Sequence, residues 1–267
     1  EERGTLPYFL RDNEKAWKDE NNSFGSVFSD QSARLKPTGI MPVEDIHAKI
    51  VEIASSHPDY FSKGFKGIEA VSEESRYMGT TMDGMIHVNF ATDENGFNAG
   101  ASLVSAFGKL AKGGKLTRNE EYSIEVLWHE ILHNKSLNTA ILPPIEAVDK
   151  GFSRVVAETI NQLDARHTYG TLLTQLGGKP MHNEWVISNG YGYNETVGNL
   201  RMMLNVAKID ENAFVKRADA ILMKDYTDID AKIGMLLKDM YKGNGDIIWL
   251  FGMIERKDFA NLLKILN

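Results

Sequence analysis

His129-Glu130-Ile131-Leu132-His133 is the stretch on which the reading of this chain turns. Two histidines stand four residues apart, with a glutamate directly after the first. On a helix such residues share a face, with Cβ atoms about 6 Å apart. Both imidazoles can then turn toward one ion at the ~2.0–2.1 Å of a Zn–N bond. Glu130 is rotated by about 100° from His129 around the helix, so it can approach a water beside the ion without becoming a ligand. Two core histidines bonded to buried carbonyls are the bland alternative. That alternative suits a lone histidine better than this pair with this glutamate.

The motif needs a helix, and the flanking sequence predicts one. Thr117-Arg118-Asn119-Glu120 has the S/T-x-x-E form of a capping box, which places a helix start near Arg118. From Tyr122 onward, Ile124, Val126, Leu127, Trp128, Ile131 and Leu132 leave almost no polar face. A helix that is apolar nearly all round lies in a core. His129, Glu130 and His133 would then be polar groups inside that core, where they need partners to offset desolvation.

Composition narrows the field without deciding it. The 267 residues can form one large domain or two modest ones, and 42% hydrophobic with 25% charged residues is ordinary for a globular chain. A net charge of −7 supplies no basic excess for neutralising phosphates, so no nucleic-acid partner is expected. Cysteine is absent, which excludes disulfides, thiolate zinc sites and a cysteine nucleophile. No apolar run approaches the ~20 residues of a membrane span and no signal-peptide pattern stands at the start, so a soluble protein is expected. The opening Glu1-Glu2-Arg3, without Met, reads as a processed product or a piece of a longer chain.

Along the chain, residues 1–40 carry little pattern. Pro42 opens a predicted helix with Ile46, Ile50, Val51 and Ile53 on its apolar face, ended by His57-Pro58. Arg76–Thr81 and Met85–Phe90 read as strands of a hairpin joined by Met82-Asp83-Gly84. A helix follows over about Ala99–Lys112, stopped by Gly113-Gly114. After Pro143-Pro144 a long helix runs from about Ile145 to Gly177. Asn189-Gly190-Tyr191-Gly192-Tyr193-Asn194 reads as a loop, and the remainder to Asn267 as short helices.

The H-E-x-x-H core, the preceding hairpin and the downstream acidic helix together resemble the zincin metallopeptidases. Ser136 and Thr139 stand where the metzincin branch requires Gly and His, which excludes that branch. The gluzincin branch takes its third ligand from a Glu on a later helix. Glu158, twenty-five residues after His133, matches that position. Val148, Phe152, Val155, Val156, Ile160 and Leu163 form an apolar stripe there. Glu158 lies roughly 120° from its centre, on a flank that can face a neighbouring helix. Gln162 stands where many gluzincins carry an acidic residue that orients a ligand histidine. Asp164, His167 and Glu146 remain alternative third ligands, and a solvated Glu158 paired with Arg154 is the bland reading.

The resemblance implies an α+β, predominantly helical fold: a zincin-like catalytic unit over residues 41–200, with a small antiparallel β-hairpin, followed by a helical C-terminal lobe over 201–267. It also implies zinc held by His129, His133 and Glu158, with Glu130 as the general base that takes a proton from water. The substrate would be a peptide or protein, its extended chain pairing with the free outer edge of Met85–Phe90. Tyr191 and Tyr193, or His182, would supply a donor to the oxyanion, although such loop aromatics more often only pack. Two further expectations stay open. One is a zinc-binding, zincin-like module of a phage-encoded or toxin-associated protein, serving assembly or recognition. The other is a helical interaction protein in which the motif is accidental.

Overall fold

The computed structural model describes residues 43–62, 64–72, 77–81, 83–135, 152–223 and 229–243. These residues are predominantly helical with one small mixed sheet, as an α+β chain requires. They form two compact units. One contains residues 43–135 and 164–192; the other contains 152–163 and 193–243. No described helix is long and apolar enough to cross a membrane.

The sheet of the first unit consists of β1 (Gly67–Val71), β2 (Met78–Thr80) and β3 (Met85–Asn89). The expected hairpin is present. β2 and β3 are antiparallel, with Met78 opposite Val88 and Thr80 opposite Ile86. Gly84 closes the turn at φ 88°, and a Cβ there would lie 2.1 Å from the Gly64 carbonyl oxygen, so a side chain has no room. The expectation of a free outer edge on Met85–Phe90 is overturned. The strand order is β1-β3-β2, and β1 lies parallel to β3 with Gly67 opposite Met85. Ile86 and Val88 are fully buried, and a strand whose apolar side chains are so completely enclosed belongs in the middle. Among the described residues the sheet edges are β1 and β2.

Helix α1 (Glu44–Ser56) buries Ile46, Ile50 and Ile53 and packs on β1. Val51 is 41% exposed, off the expected face, because it is turned about 100° from Ile50. Pro58–Tyr60 adds a 3-10 turn. Helix α2 (Ala99–Leu110) begins where the Asn98 side chain accepts from the Ala101 amide at 2.8 Å. It lies against the motif helix α3 (Arg118–Lys135), which also meets β2. Ile124, Leu127 and Ile131 of α3 are fully buried, each side chain contributing roughly 1.5–3 kcal/mol by leaving water. The helix is enclosed over almost its whole length, as its all-round apolar sequence predicts.

Helix α4 (Phe152–Thr168) follows, and after a turn at Tyr169 come α5 (Gly170–Gln175) and α6 (Asn183–Asn189). The long helix predicted over 145–177 thus appears as α4 and α5, with residues 145–151 outside the described ones. In the second unit, Val156, Ile160 and Leu163 of α4 share a core with helices α7 (Asn194–Val206), α8 (Glu211–Leu222) and α9 (Ile229–Met240). Leu200, Leu204, Phe214, Leu222 and Ile233 are central to it. Asp210 caps α8 by accepting from the Ala213 amide at 2.8 Å. Arg201 grips both oxygens of Glu211 at 3.1 Å, a bidentate pair between neighbouring helices.

Candidate metal centre

The motif helix is fixed first at its N-terminus. The Thr117 hydroxyl accepts from the Glu120 amide at 3.3 Å, and the Glu120 carboxylate accepts from the Thr117 amide at 2.6 Å. This is the reciprocal capping box the sequence predicts. Ser105 and Lys109 of α2 also donate to Glu120, at 2.5 and 2.8 Å. Burial alone would raise the Glu120 pKa, but Lys109, Ser105 and Thr117 outweigh it and hold the carboxyl down at about 2. The next residue, Glu121, is fully buried and accepts from the Tyr169 hydroxyl at 2.5 Å and from the Met181 and His182 amides at 3.0 Å. Burial and this carboxylate both push the Tyr169 phenol well above its ordinary pKa.

About two turns further on, the helix presents its histidines. His129 and Glu130 are buried, and His133 is half-buried. The two imidazole Nε2 atoms approach to 3.0 Å, with ring centroids 4.7 Å apart and planes at 78°. The i,i+4 geometry thus converges both rings on one point, as the spacing predicts. The surrounding helix is anchored at each side of the motif. Trp128 Nε1 donates to Thr168 Oγ1 at 2.8 Å. Asn134, directly after His133, donates to Thr80 Oγ1 of β2 at 2.6 Å and to the Glu130 carbonyl at 2.9 Å. The Asn134 carbonyl accepts from the Ser62 amide at 3.0 Å.

Glu158 is the third member. It is 7% exposed on α4, the helix whose last residue, Thr168, receives the Trp128 bond. One ligand atom from each of His129, His133 and Glu158 lies within 4.8 Å of the others. In a tetrahedral zinc site with bonds of 2.0–2.1 Å, donor atoms are about 3.3 Å apart, and the two histidine nitrogens, at 3.0 Å, are near that spacing. Two imidazole nitrogens and a carboxylate oxygen are a donor set suited to zinc, and the set leaves a fourth position open. Glu130 is not a member of the group, nor are Asp164 and His167. Asp164 is buried, and its carbonyl accepts from Thr168 Oγ1 at 2.8 Å. Glu146 lies outside the described residues.

The two loop tyrosines have separate destinations. The Tyr193 hydroxyl donates to Glu158 Oε2 at 3.3 Å, beside the candidate ligand. Tyr191 packs among Phe97, Tyr122 and Trp185, at centroid distances of 5.2, 5.3 and 5.5 Å, and its hydroxyl reaches Asn119 Oδ1 at 3.3 Å. Asn119 is in the first turn of α3, about 15 Å along the helix from His129. His182 Nε2 lies 3.2 Å from the Leu116 carbonyl, at that same end. Tyr191 and His182 thus serve packing at the capped end of the helix. Asn134 and Arg166 were missed by sequence reasoning. Asn134 had a local signal, since a polar residue four after Glu130 on an enclosed helix needs a partner.

No protein-family model matches the chain, no curated protein matches it, and no solved structure matches it.

Proposed function

We propose that this protein is a zinc-dependent peptidase of gluzincin type, with His129, His133 and Glu158 as metal ligands. The observation that carries the reading is the convergence of those three side chains within 4.8 Å, with Glu130 next to but outside the group. When bound, zinc supplies a Lewis acid for the scissile carbonyl and brings the pKa of a coordinated water down to about 7. Glu130, rotated about 100° from His129 on the same helix, takes the proton from water and passes it to the departing amine. The Tyr193 hydroxyl donates to Glu158 Oε2 across 3.3 Å and so keeps a donor beside the proposed ligand carboxylate. Burial of His129, Glu130 and Glu158 keeps competing water away and strengthens each of these interactions.

The substrate is an extended peptide. β2 is an edge of the sheet among the described residues, and Thr80 on it is bonded to Asn134, one residue past the motif. An edge strand tied to the motif helix suits main-chain pairing with a substrate strand. β2 takes this role instead of β3, whose two edges are occupied.

Metal analysis together with mass-spectrometric cleavage of a peptide library tests the proposal. The expected result is about one zinc per chain, and peptide cleavage that falls by roughly 10²–10⁴-fold in Glu130→Gln while zinc is retained. Absence of stoichiometric zinc would overturn the metal centre. Zinc without cleavage of any peptide would leave a zinc-binding module in place of an enzyme.

A further inference from the structure

Among the described residues, the largest fully buried side chain is a cation, Arg166, 1% exposed on α4. Its guanidinium donates to the carbonyls of Gly190 and Gly192 at 2.8 and 2.7 Å, and to that of Ile187 at 3.5 Å. The loop between α6 and α7 is thereby drawn onto the side chain. Gly190 sits so close that a Cβ would meet the Tyr122 ring at 2.9 Å and Arg166 Nε at 3.2 Å. Gly192 is held a second time, its amide donating to the Tyr122 hydroxyl at 2.6 Å. Tyr193 is the next residue. Its backbone takes the left-handed conformation at φ 54°, which non-glycine residues adopt uncommonly. On its other side the Tyr193 carbonyl accepts from the Val197 amide at 2.9 Å, the first bond of α7.

Tyr193 is therefore fixed from both directions, and its hydroxyl ends on Glu158. Arg166 and Glu158 are eight residues apart on one helix, a rise of about 12 Å. The helix thus carries both the carboxylate and the clamp for the loop that orients it.

We propose that Arg166 is a positioning residue of the metal centre: by holding the Gly190 and Gly192 carbonyls it sets Tyr193, and through Tyr193 it orients the Glu158 carboxylate. This rests on the reading of His129, His133 and Glu158 as metal ligands. Partners one shell out from a metal typically alter its affinity by about 10–100-fold. Both glycine carbonyls are served by one nitrogen, Nη2, and a lysine side chain, one atom shorter, places its ammonium short of them.

The test uses cobalt(II) as the probe, in the full chain, by titration of its visible absorption bands and by chelator competition. Arg166→Lys and Tyr193→Phe should each weaken cobalt binding about ten-fold and shift the bands. The double variant should bind as either single one does, because Arg166 acts through the Tyr193 hydroxyl. Circular dichroism melts identify variants that fail to fold. Should Arg166→Lys be one of these, Tyr122→Phe, which removes the acceptor for the Gly192 amide, replaces it in the same cycle with the same expectation. Losses that multiply in the double variant would overturn the proposal, as would unchanged affinity and bands in the clamp variant. Wild-type protein that takes up no cobalt would instead remove the metal centre itself.

Discussion

At the N-terminal end of α3, Glu120 and Glu121 are ringed by donors, whereas near its C-terminal end His129 and His133 face each other with Glu158 close by. Both ends bury polar side chains on the same enclosed helix. At the first end each carboxylate meets hydroxyls, amides or an ammonium group, so its lone pairs are committed to the fold. At the second end two ring nitrogens, each donor or acceptor according to its tautomer, and a carboxylate oxygen lie close enough together to share one ion. Burial of polar groups therefore does not separate scaffold from site. What separates them is whether potential ligand atoms gather within the reach of one ion.

The sharpest way to break this contrast is His133→Ala. It should abolish stoichiometric zinc by metal analysis and lower the melting temperature of zinc-loaded protein, since one ligand of the cluster is gone. Retained zinc would show that the cluster is scaffold like the other end. Glu121→Gln should do the reverse. Replacing an acceptor of three donors with an amide leaves at least one of them facing another donor, a loss of about 2–4 kcal/mol by chemical denaturation, with zinc content unchanged. Loss of zinc without loss of stability would reverse the assignment.

The smallest effect belongs to Glu120. Its carboxyl is held at about 2 in the folded chain, against about 4.3 when unfolded. A depressed carboxyl stabilises the fold fully above the unfolded value, and that contribution disappears as pH falls toward the folded one. Glu120→Gln should therefore cost about 1 kcal/mol at pH 7, in the range of a lost cap. The gap from wild type in denaturant midpoints should close between pH 5 and 2. A gap independent of pH would mean that the capping contacts act without their charge.

Much of this was legible locally. Thr117 and Glu120 mark the helix start, and the pattern through Leu132 marks its enclosure, because both are properties of neighbouring residues. The histidine convergence follows from helix geometry in the same way. What was not legible depends on distant chain. β1 reads Gly-Ile-Glu-Ala-Val, too short to announce itself, and its parallel pairing with β3 has no turn signal, so the sequence by itself leaves β3 looking like an edge. Arg166 lies between Ala165 and His167 and looks like an ordinary solvated arginine. Only the arrival of carbonyls from more than twenty residues later makes it a buried clamp. Tyr191 and Tyr193 are two residues apart in one loop, yet one ends at Asn119 and the other at Glu158. Nothing in their spacing distinguishes those destinations.

The capping box also has a consequence for which length changes the chain can accept. Thr117 fixes the rotational phase from which every later side chain on α3 is counted, and His129 lies about 18 Å further along that axis. One residue inserted between Glu121 and Trp128 would swing the imidazoles by about 100° and advance them by about 1.5 Å, turning them away from Glu158. The exposed turn at Ala111–Lys115, just before the cap, carries no such phase. Insertions there alter a loop and leave the angular register of the site intact. Drift in length should therefore collect ahead of Thr117 and stop abruptly at it.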